Sequence, residues 1–466
     1  MRALIGLCVL CLGGCASAST SSAVPASSRL PTRLAPGGAE SGPPIEPSVR
    51  PVLLRNARVI DGTGAKPREG VDLLLEEGRI ASMGTGLVPE PQTHVIDLEG
   101  KTVLPGFIDA HVHLTFTPPP NYAKGVVREM QEHDADRALR GTANAWATLR
   151  AGFTTVRNVG GTFADRALRD AIAAGIVAGP RMLVANFAIT ITGGHCDDTN
   201  GYHPEVLPNM QDYRAGVADS PDDVRRAVRY QIKHGADVIK VCATGGVMSQ
   251  GDAVGASQMT TPEIAVAVEE ATRADRRVAA HAHGTEGIKE AIEAGVHSIE
   301  HGSMLDDEAI SMMRARGTVL VPTLSAGEHV ERAADAGTLS DSSAEKARAI
   351  APMMRSSFRR AHEAGVTIAL GSDAGVFRHG RNGHEFTLMV EEGMSPMDAI
   401  VAGTSGAAAL LGVEDVGTLA EGQRADVVII DGDPLRDVAL LEAPLGVIKG
   451  GVIYVDPSGR DQRVTP

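Results

Sequence analysis

The stretch Arg277-Val278-Ala279-Ala280-His281-Ala282-His283, followed by His297-Ser298-Ile299-Glu300-His301, holds two short apolar runs that each close on histidine. Between them lies an amphipathic helical stretch that ends at Ala294-Gly295. Two apolar runs flanking such a helix read as a β-α-β unit with parallel strands. Glycine just past the helix supplies the left-handed cap that turns the chain into the next strand. The same signal recurs at Ala151-Gly152, Arg316-Gly317 and Ala364-Gly365. Working outward, six more strand candidates appear at 105–111, 153–159, 181–187, 236–241, 318–322 and 366–371. Eight such units predict an α/β chain whose residues 105–412 form a (β/α)8 TIM barrel.

The flanks read differently. From Val52 to Leu98 short alternating runs are separated by Asp-Gly and Glu-Gly turns, and a matching set lies at 425–432 and 446–455. Each set is short for an independent core, so residues 51–104 plus 413–466 are expected to form one composite β-sandwich domain. Residues 16–50 are rich in Ser, Ala, Pro and Gly without apolar periodicity, which predicts a flexible tether. Ahead of it, Arg2 precedes an apolar run to Leu12 that is too short to span a bilayer and reads as a signal peptide. Its end, Leu12-Gly13-Gly14-Cys15, resembles a bacterial lipobox, giving a lipoprotein signal peptide at 1–15 and a lipid anchor on Cys15. An ordinary cleavage near Ala16-Ser17-Ala18 is the alternative. Either way the protein is expected to be exported to the cell envelope, and the membrane enters only through that anchor.

The 466 residues are 43% hydrophobic and 22% charged, enough to bury a large core. Aromatics are 3% and glycines number 53, so that core is aliphatic with many tight turns. A net charge of −14 without a basic run disfavours nucleic acid. Of five cysteines only Cys196 and Cys242 lie in the body of the chain. Two thiols make no framework, and free buried cysteines are expected.

In a barrel the reactive groups sit at the C-terminal ends of the strands. The polar residues closing the apolar runs are His111-Val112-His113, Lys240, His281, His301 and Ser372-Asp373. Histidines two apart on a strand face the same way and can share an ion. Lys240 sits in Asp237-Val238-Ile239-Lys240-Val241-Cys242, where an ammonium is costly. A neutral amine can take up carbon dioxide as a carbamate, a carboxylate on a long arm suited to bridging two ions. Pairing with an acid is the alternative for this lysine.

The ordered set HxH, Lys, His, His, Asp resembles the amidohydrolase superfamily with a binuclear metal centre. The strings Pro105 to His113, Ile239 to Val247, His281-Ala282-His283-Gly284, Ser298-Ile299-Glu300-His301-Gly302 and Gly371-Ser372-Asp373-Ala374-Gly375 are similar to its prolidase-like and Xaa-Arg dipeptidase-like branch. That branch also includes ochratoxin-hydrolysing amidases. The resemblance implies that His111 and His113 bind one ion and His281 and His301 a second. Lys240, N6-carboxylated, would bridge them, and Asp373 would complete the first shell. Two divalent ions are implied, with zinc the expected occupant of N and O ligands. Such ions lower the pKa of a shared water from 15.7 towards about 7. Asp373 would then act as base and afterwards as acid.

His283 faces the same side as His281 and is a candidate to bind the substrate carbonyl or its oxyanion, or else to support the site. His195, after Thr192-Gly193-Gly194, and Tyr202 lie in a loop that relatives use near the substrate; a loop ordered by its own hydrogen bonds is the alternative. Asn382 and Glu385, in a segment similar to HGxNxxEL with Phe386 in place of leucine, read as a helix start. Arg157-Asn158 departs from the Arg-Asp of many relatives.

The leading expectation is a metal-dependent hydrolase of the amide to a C-terminal amino acid, with a dipeptide, an N-acyl amino acid or an ochratoxin-type amide as substrate. A lactonase or phosphotriesterase on the same centre is the second, and a surface-anchored binding protein without catalysis the third. Members of the branch often associate, so a homo-oligomer is an open expectation.

Overall fold

The computed structural model describes residues 50–207 and 210–457. The expected signal peptide, the Cys15 anchor and the tether up to residue 49 lie outside the described residues. The chain begins with β1 (Val52–Val59), β2 (Arg68–Glu76), β3 (Arg79–Gly84), β4 (His94–Asp97) and β5 (Thr102–Pro105). Strands and helices then alternate through β6 (Phe107–Val112), α1 (Tyr122–Gln131), α2 (Asp134–Arg150), β7 (Phe153–Asn158), α3 (Phe163–Ala173) and β8 (Arg181–Val184). They continue as α4 (Pro221–Lys233), β9 (Val238–Cys242), α5 (Thr261–Arg273), β10 (Arg277–Ala282), α6 (Thr285–Ala294), β11 (Ser298–His301), α7 (Asp307–Arg316) and β12 (Val319–Val321). Five helices follow, α8 (Leu324–Asp335), α9 (Asp341–Glu363), α10 (His384–Glu391), α11 (Pro396–Ala402) and α12 (Ser405–Leu411). The chain closes on β13 (Val427–Ile430), β14 (Gly446–Lys449) and β15 (Val452–Val455).

The alternating part is an α/β fold of parallel sheets. β6, β7 and β8 pair in parallel, as do β9, β10, β11 and β12. Strands β6, β7 and β9 are buried along their whole length, as strands covered on both faces must be. The two sheets are linked at one side where Ile189 N donates to Lys240 O at 2.7 Å and Cys242 N to Ile189 O at 2.8 Å. At the other side residues 367–370 lie between β12 and β6. Leu320 N donates to Thr367 O and Ala369 N to Leu320 O, while Ala110 N donates to Leu370 O. The expected eighth strand thus contributes ladder bonds without a strand of regular length. As expected, Gly295 and Gly317 end α6 and α7 in the left-handed region, with φ +94° and +69°. Phe386 packs edge-on against Phe107 with ring centres 5.0 Å apart, so the larger ring found in place of leucine seals the end of β6.

The β-rich strands hydrogen-bond into one connected eight-stranded sheet, in the order β15-β14-β13-β5-β1-β2-β3, with β4 on β1. Bulges at Leu54/Ala57 and Ala57/Val59 break β1 into two parts, so its first half pairs with β4 and its last residues with β5. N-terminal β5 pairs antiparallel with C-terminal β13, from Pro105 opposite Val427 to Thr102 opposite Ile430. One residue later the chain enters β6, so the joint between the termini lies beside the strand that carries His111. Among the described residues no helix is long and apolar enough to cross a membrane.

Candidate metal centre

β6 buries His111 near its end, and His113 follows just beyond, with ring centres 5.4 Å apart. β10 carries His281 and delivers His283 next to it, 4.7 Å between rings. β11 ends on His301, whose ring lies 4.7 Å from His281, 5.0 Å from His111 and 4.9 Å from His283. Asp373 follows the eighth apolar run, its Oδ1 3.1 Å from His113 Nε2 and 3.5 Å from His111 Nε2. Potential ligand atoms of His281, His283 and His301 come within 4.8 Å of one another, as do those of His111, His301 and Asp373. His301 belongs to both groups. His283, expected against substrate, therefore stands as close to a common point as the two expected ligands do.

The backbone around this cluster is held in sparsely populated conformations. His301, Thr323 and Asp373 all have positive φ, at +72°, +51° and +60°. Three non-glycine residues in the left-handed region at one place are a local strain that surrounding packing must impose. Gly371 lies so close that a Cβ there would sit 2.9 Å from His111 Cβ and 2.3 Å from Val321.

Four of the rings, those of His111, His113, His283 and His301, have a partner that fixes their orientation. His111 Nδ1 lies 2.7 Å from Glu300 Oε2, and His113 Nδ1 lies 2.8 Å from Gly160 O. A carboxylate and a carbonyl can only accept, so both Nδ1 atoms carry hydrogen and both Nε2 atoms keep a lone pair for a metal. His301 Nδ1 pairs with Thr323 Oγ1 at 2.7 Å and His283 Nδ1 with Ser303 Oγ at 2.6 Å. His281 Nε2 is buried without a hydrogen-bond partner, and Asp373 Oδ1 is buried against the Nε2 atoms of His113 and His111, which on neutral rings have no hydrogen to give it. Buried polar atoms left open in this way are costly unless something takes them.

Burial dominates the protonation of the site. It pushes His111 down to about 4 and His283 down to about 3, and takes His281 and His301 well below the ordinary histidine range. Neutral imidazole is the ligand form. For Asp373 burial acts upwards, but His111, His113 and Lys240 outweigh it and hold the carboxyl below its usual value. Lys240, buried on β9, is pushed down to about 8 by burial, with Arg157 adding to the effect and Glu300 opposing it. Among the described residues no carboxylate lies within ion-pair distance of its amine, while Glu300 and Asp373 act on it through space. The donors, their neutral state and the two open atoms fit a pair of divalent ions, with the lysine able to carry a carboxylate to them.

The structure brings His195 to the site as well. Its ring stacks on His281 at 4.1 Å, and its Nδ1 lies 2.8 Å from Ser249 Oγ. Ser249 in turn donates to Asp252, which receives Lys346 Nζ at 2.7 Å. Tyr202 is not brought to the cluster by any contact of its own; its hydroxyl donates to Glu129 Oε2 on α1 at 2.7 Å. The expectation of free cysteines is corrected. Cys196 and Cys242 form a disulfide, with Cα atoms 6.1 Å apart across 46 residues. The bonds between Ile189 and the end of β9 lay the loop over that strand end, which brings the two sulfurs together.

Sequence reasoning missed the supports. Glu300 is fully buried and also receives Arg157 Nη2 at 2.8 Å and Ser298 Oγ at 2.5 Å. Arg157 Nε donates to Ala110 O at 2.6 Å, so one guanidinium ties β7 to β6 and β11. An acid directly before a candidate ligand, on a strand buried along its whole length, was the available signal. Asn158 has a use that an acid could not serve. Its Oδ1 accepts from Leu114 N at 2.6 Å while its Nδ2 donates to Asp165 Oδ2 at 2.9 Å. A carboxylate there would face the carboxyl of Asp165, which burial already pushes up to about 7.

A parallel α/β chain that gathers histidines and an aspartate able to hold a metal at its strand ends is the arrangement of a hydrolase site, and comparison with known proteins gives its family. The chain matches the Amidohydrolase family over residues 102–454 and belongs to it. It is 34% identical to the ochratoxinase of Aspergillus niger over 432 residues, covering 87% of this chain and 88% of that protein. A solved Xaa-Pro dipeptidase with methionine bound in its active site is similar at 38% identity and a TM-score of 0.83, covering 87% of this chain and 100% of that one. A prolidase complexed with N-methylphosphonate-L-proline is similar at 31% identity and a TM-score of 0.79, covering 86% and 99%. The protein is a hydrolase acting on amides.

Proposed function

We propose that this protein hydrolyses the amide that joins an acyl group or residue to a C-terminal amino acid, using two divalent metal ions, with zinc the expected metal. The observation that carries this reading is the gathering at one place of His111, His281, His283 and His301, all pushed towards the neutral form by burial, with the buried and unpartnered His281 Nε2 among them and Asp373 Oδ1 beside His111 and His113. His111, His113 and Asp373 would hold one ion, His281 and His301 the other, and Lys240, carboxylated on its Nζ, would bridge them. The ladder bonds on either side of the two parallel sheets support their closure into a (β/α)8 barrel, with every one of these side chains at the same rim.

Bound ions would supply Lewis acidity, acidifying water and polarising the scissile carbonyl. Asp373 stays ionised at neutral pH because His111, His113 and Lys240 hold its carboxyl low. It can therefore take the proton of the attacking water and pass it to the leaving nitrogen as the tetrahedral species collapses. His283, oriented by Ser303, and His195, oriented by Ser249, are the groups placed to meet the carbonyl or its oxyanion and the rest of the substrate. The substrate class follows from the relatives: an Xaa-Pro dipeptidase that holds methionine, a prolidase that holds a proline phosphonate, and an ochratoxinase. The disulfide supports an oxidising compartment and with it the proposed export and anchoring at Cys15.

The experiment is incubation of purified, zinc-loaded protein with Xaa-Pro, Xaa-Arg and Xaa-Phe dipeptides, N-acyl amino acids and ochratoxin. Metal-dependent release of the C-terminal amino acid from at least one class is expected. The absence of release from all of them would sink the proposal.

A further inference from the structure

Asn382 and Glu385 belong to one short segment, and both are fully buried. The expected helix start is there, with α10 beginning at His384 and Glu385 in its first turn, but it does not account for where their side chains go. The N-cap of α10 is Gly383, with no side-chain cap bond, and neither residue bonds the backbone of that helix through its side chain. Asn382 Nδ2 instead donates to Asp109 Oδ2 at 2.8 Å and lies 3.3 Å from Ser372 Oγ, while its Oδ1 accepts from Gly380 N at 3.0 Å. Asp109 is the hub of this contact. Its Oδ1 accepts from His111 N at 3.1 Å and Ser372 N at 3.0 Å, and its Oδ2 accepts from Ser372 Oγ at 2.5 Å. One carboxylate therefore ties the backbone of His111 to the residue preceding Asp373, and Asn382 holds that carboxylate in place.

Glu385 acts on the other group of ligands. Its Oε1 accepts from Leu324 N and its Oε2 from Ser325 N, both at 2.8 Å. These are the first two amides of α8, which its own N-cap, Thr323, leaves open because the Thr323 side chain makes no cap bond. Thr323 is free to turn its Oγ1 to His301 Nδ1, 2.7 Å away, from a left-handed backbone conformation. A carboxylate from another helix thus takes over the capping that Thr323 has given up.

We propose that Asn382 and Glu385 are positioning residues that set both halves of the centre from one segment. Asn382 aligns His111 and Asp373 through Asp109 and Ser372, and Glu385 aligns His301 through Thr323. This rests on the reading that the cluster holds divalent ions.

The test is a zinc titration of chelator-stripped full-length protein against a chromophoric chelator, with kcat and KM measured alongside. It compares wild type with Asn382→Ala, Glu385→Gln and Thr387→Val. Thr387 lies on the same helix and its hydroxyl bonds Glu442, away from both ligand groups. Asn382→Ala and Glu385→Gln are each expected to weaken zinc retention by about 10–100-fold, as loss of an outer support does, with Thr387→Val matching wild type. Where alanine at 382 unfolds the chain, Asn382→Ser carries the same comparison. A wild type that binds two ions, with both variants retaining zinc as tightly, overturns the positioning role. A wild type that takes up no zinc overturns the reading beneath it.

Discussion

The two groups of ligands that share His301 are braced by different chemistry. On the β6 side the supports are charged or strongly polar: Glu300 with Arg157 behind it, the Gly160 carbonyl, and Asp109 with its four hydrogen bonds. On the β10 and β11 side they are hydroxyls, Ser303 and Thr323, together with rings stacked on rings. A carboxylate brace makes its imidazole a stronger ligand and a better host for a proton. A hydroxyl brace only orients. Burial pushes the hydroxyl-braced His283 down to about 3 and His111 to about 4, with Glu300 opposing the effect at His111. The two halves are thus expected to respond to mutation by different amounts and through different observables.

The largest effect should come from Lys240, the residue proposed to join the halves. Lys240→Ala is expected to lose bound zinc and hydrolysis together, measured by metal analysis and turnover. Full metal content in that variant would show that the halves hold their ions separately. Next comes the charged brace. Arg157→Ala leaves Glu300 buried without its cation and should cost about 3–5 kcal/mol in urea unfolding. A loss below about 1 kcal/mol, the range of an exposed pair, would mean that Glu300 does not depend on its partner. The disulfide bears on the hydroxyl-braced half, because it fastens the loop that lays His195 on His281. A closed loop of 46 residues is worth about 4 kcal/mol by chain entropy. Cys196→Ser with Cys242→Ser should show a loss of that order, together with a raised KM.

Thr323→Val tests the neutral brace itself. Zinc affinity should fall about tenfold, the lower end of the range for an outer support, with little loss of stability. A fall of about 100-fold, the upper end of that range, would erase the contrast between the halves.

The smallest effect concerns pH, at a histidine remote from the centre. His384 bonds Glu442 at 3.0 Å and Glu328 at 3.3 Å. The hydrogen bond to Glu442 raises its pKa above the ordinary 6.5, against the opposing effect of burial. A raised folded pKa means that the protonated form stabilises the fold. Its contribution is complete below about pH 6.5 and is lost as pH climbs through the raised value. His384→Gln should flatten the stability profile over that window, and an unchanged slope would refute the assignment.

The strand ends were legible because their information is local. His111 and His113 declare a shared face by a spacing of two, and His281, Lys240 and His301 each close a recognisable apolar run. Glycines 295 and 317 marked helix ends for equally local reasons. Glu300 was legible only as an anomaly, an acid directly before a candidate ligand. Its pairing with a histidine 189 positions earlier depends on how the fold sets β6 and β11, strands of two different sheets, relative to each other. The cysteines show the same limit. Two thiols 46 residues apart carry no signal of pairing until the loop is laid over β9.

By itself, the sequence determined the alternation of strands and helices, the β-rich flanks and the order of metal-ligand residue types at the strand ends. Hydrophobic periodicity and short spacings are properties of neighbouring residues. Only the tertiary structure decided that the flanking strands join one sheet, that Cys196 meets Cys242, and that Asn382 and Glu385 support ligands far from them in the chain. Those contacts depend on sheet register and on helices packed across the fold. The cost of burying a charge or an open amide then selects which distant partner must be there.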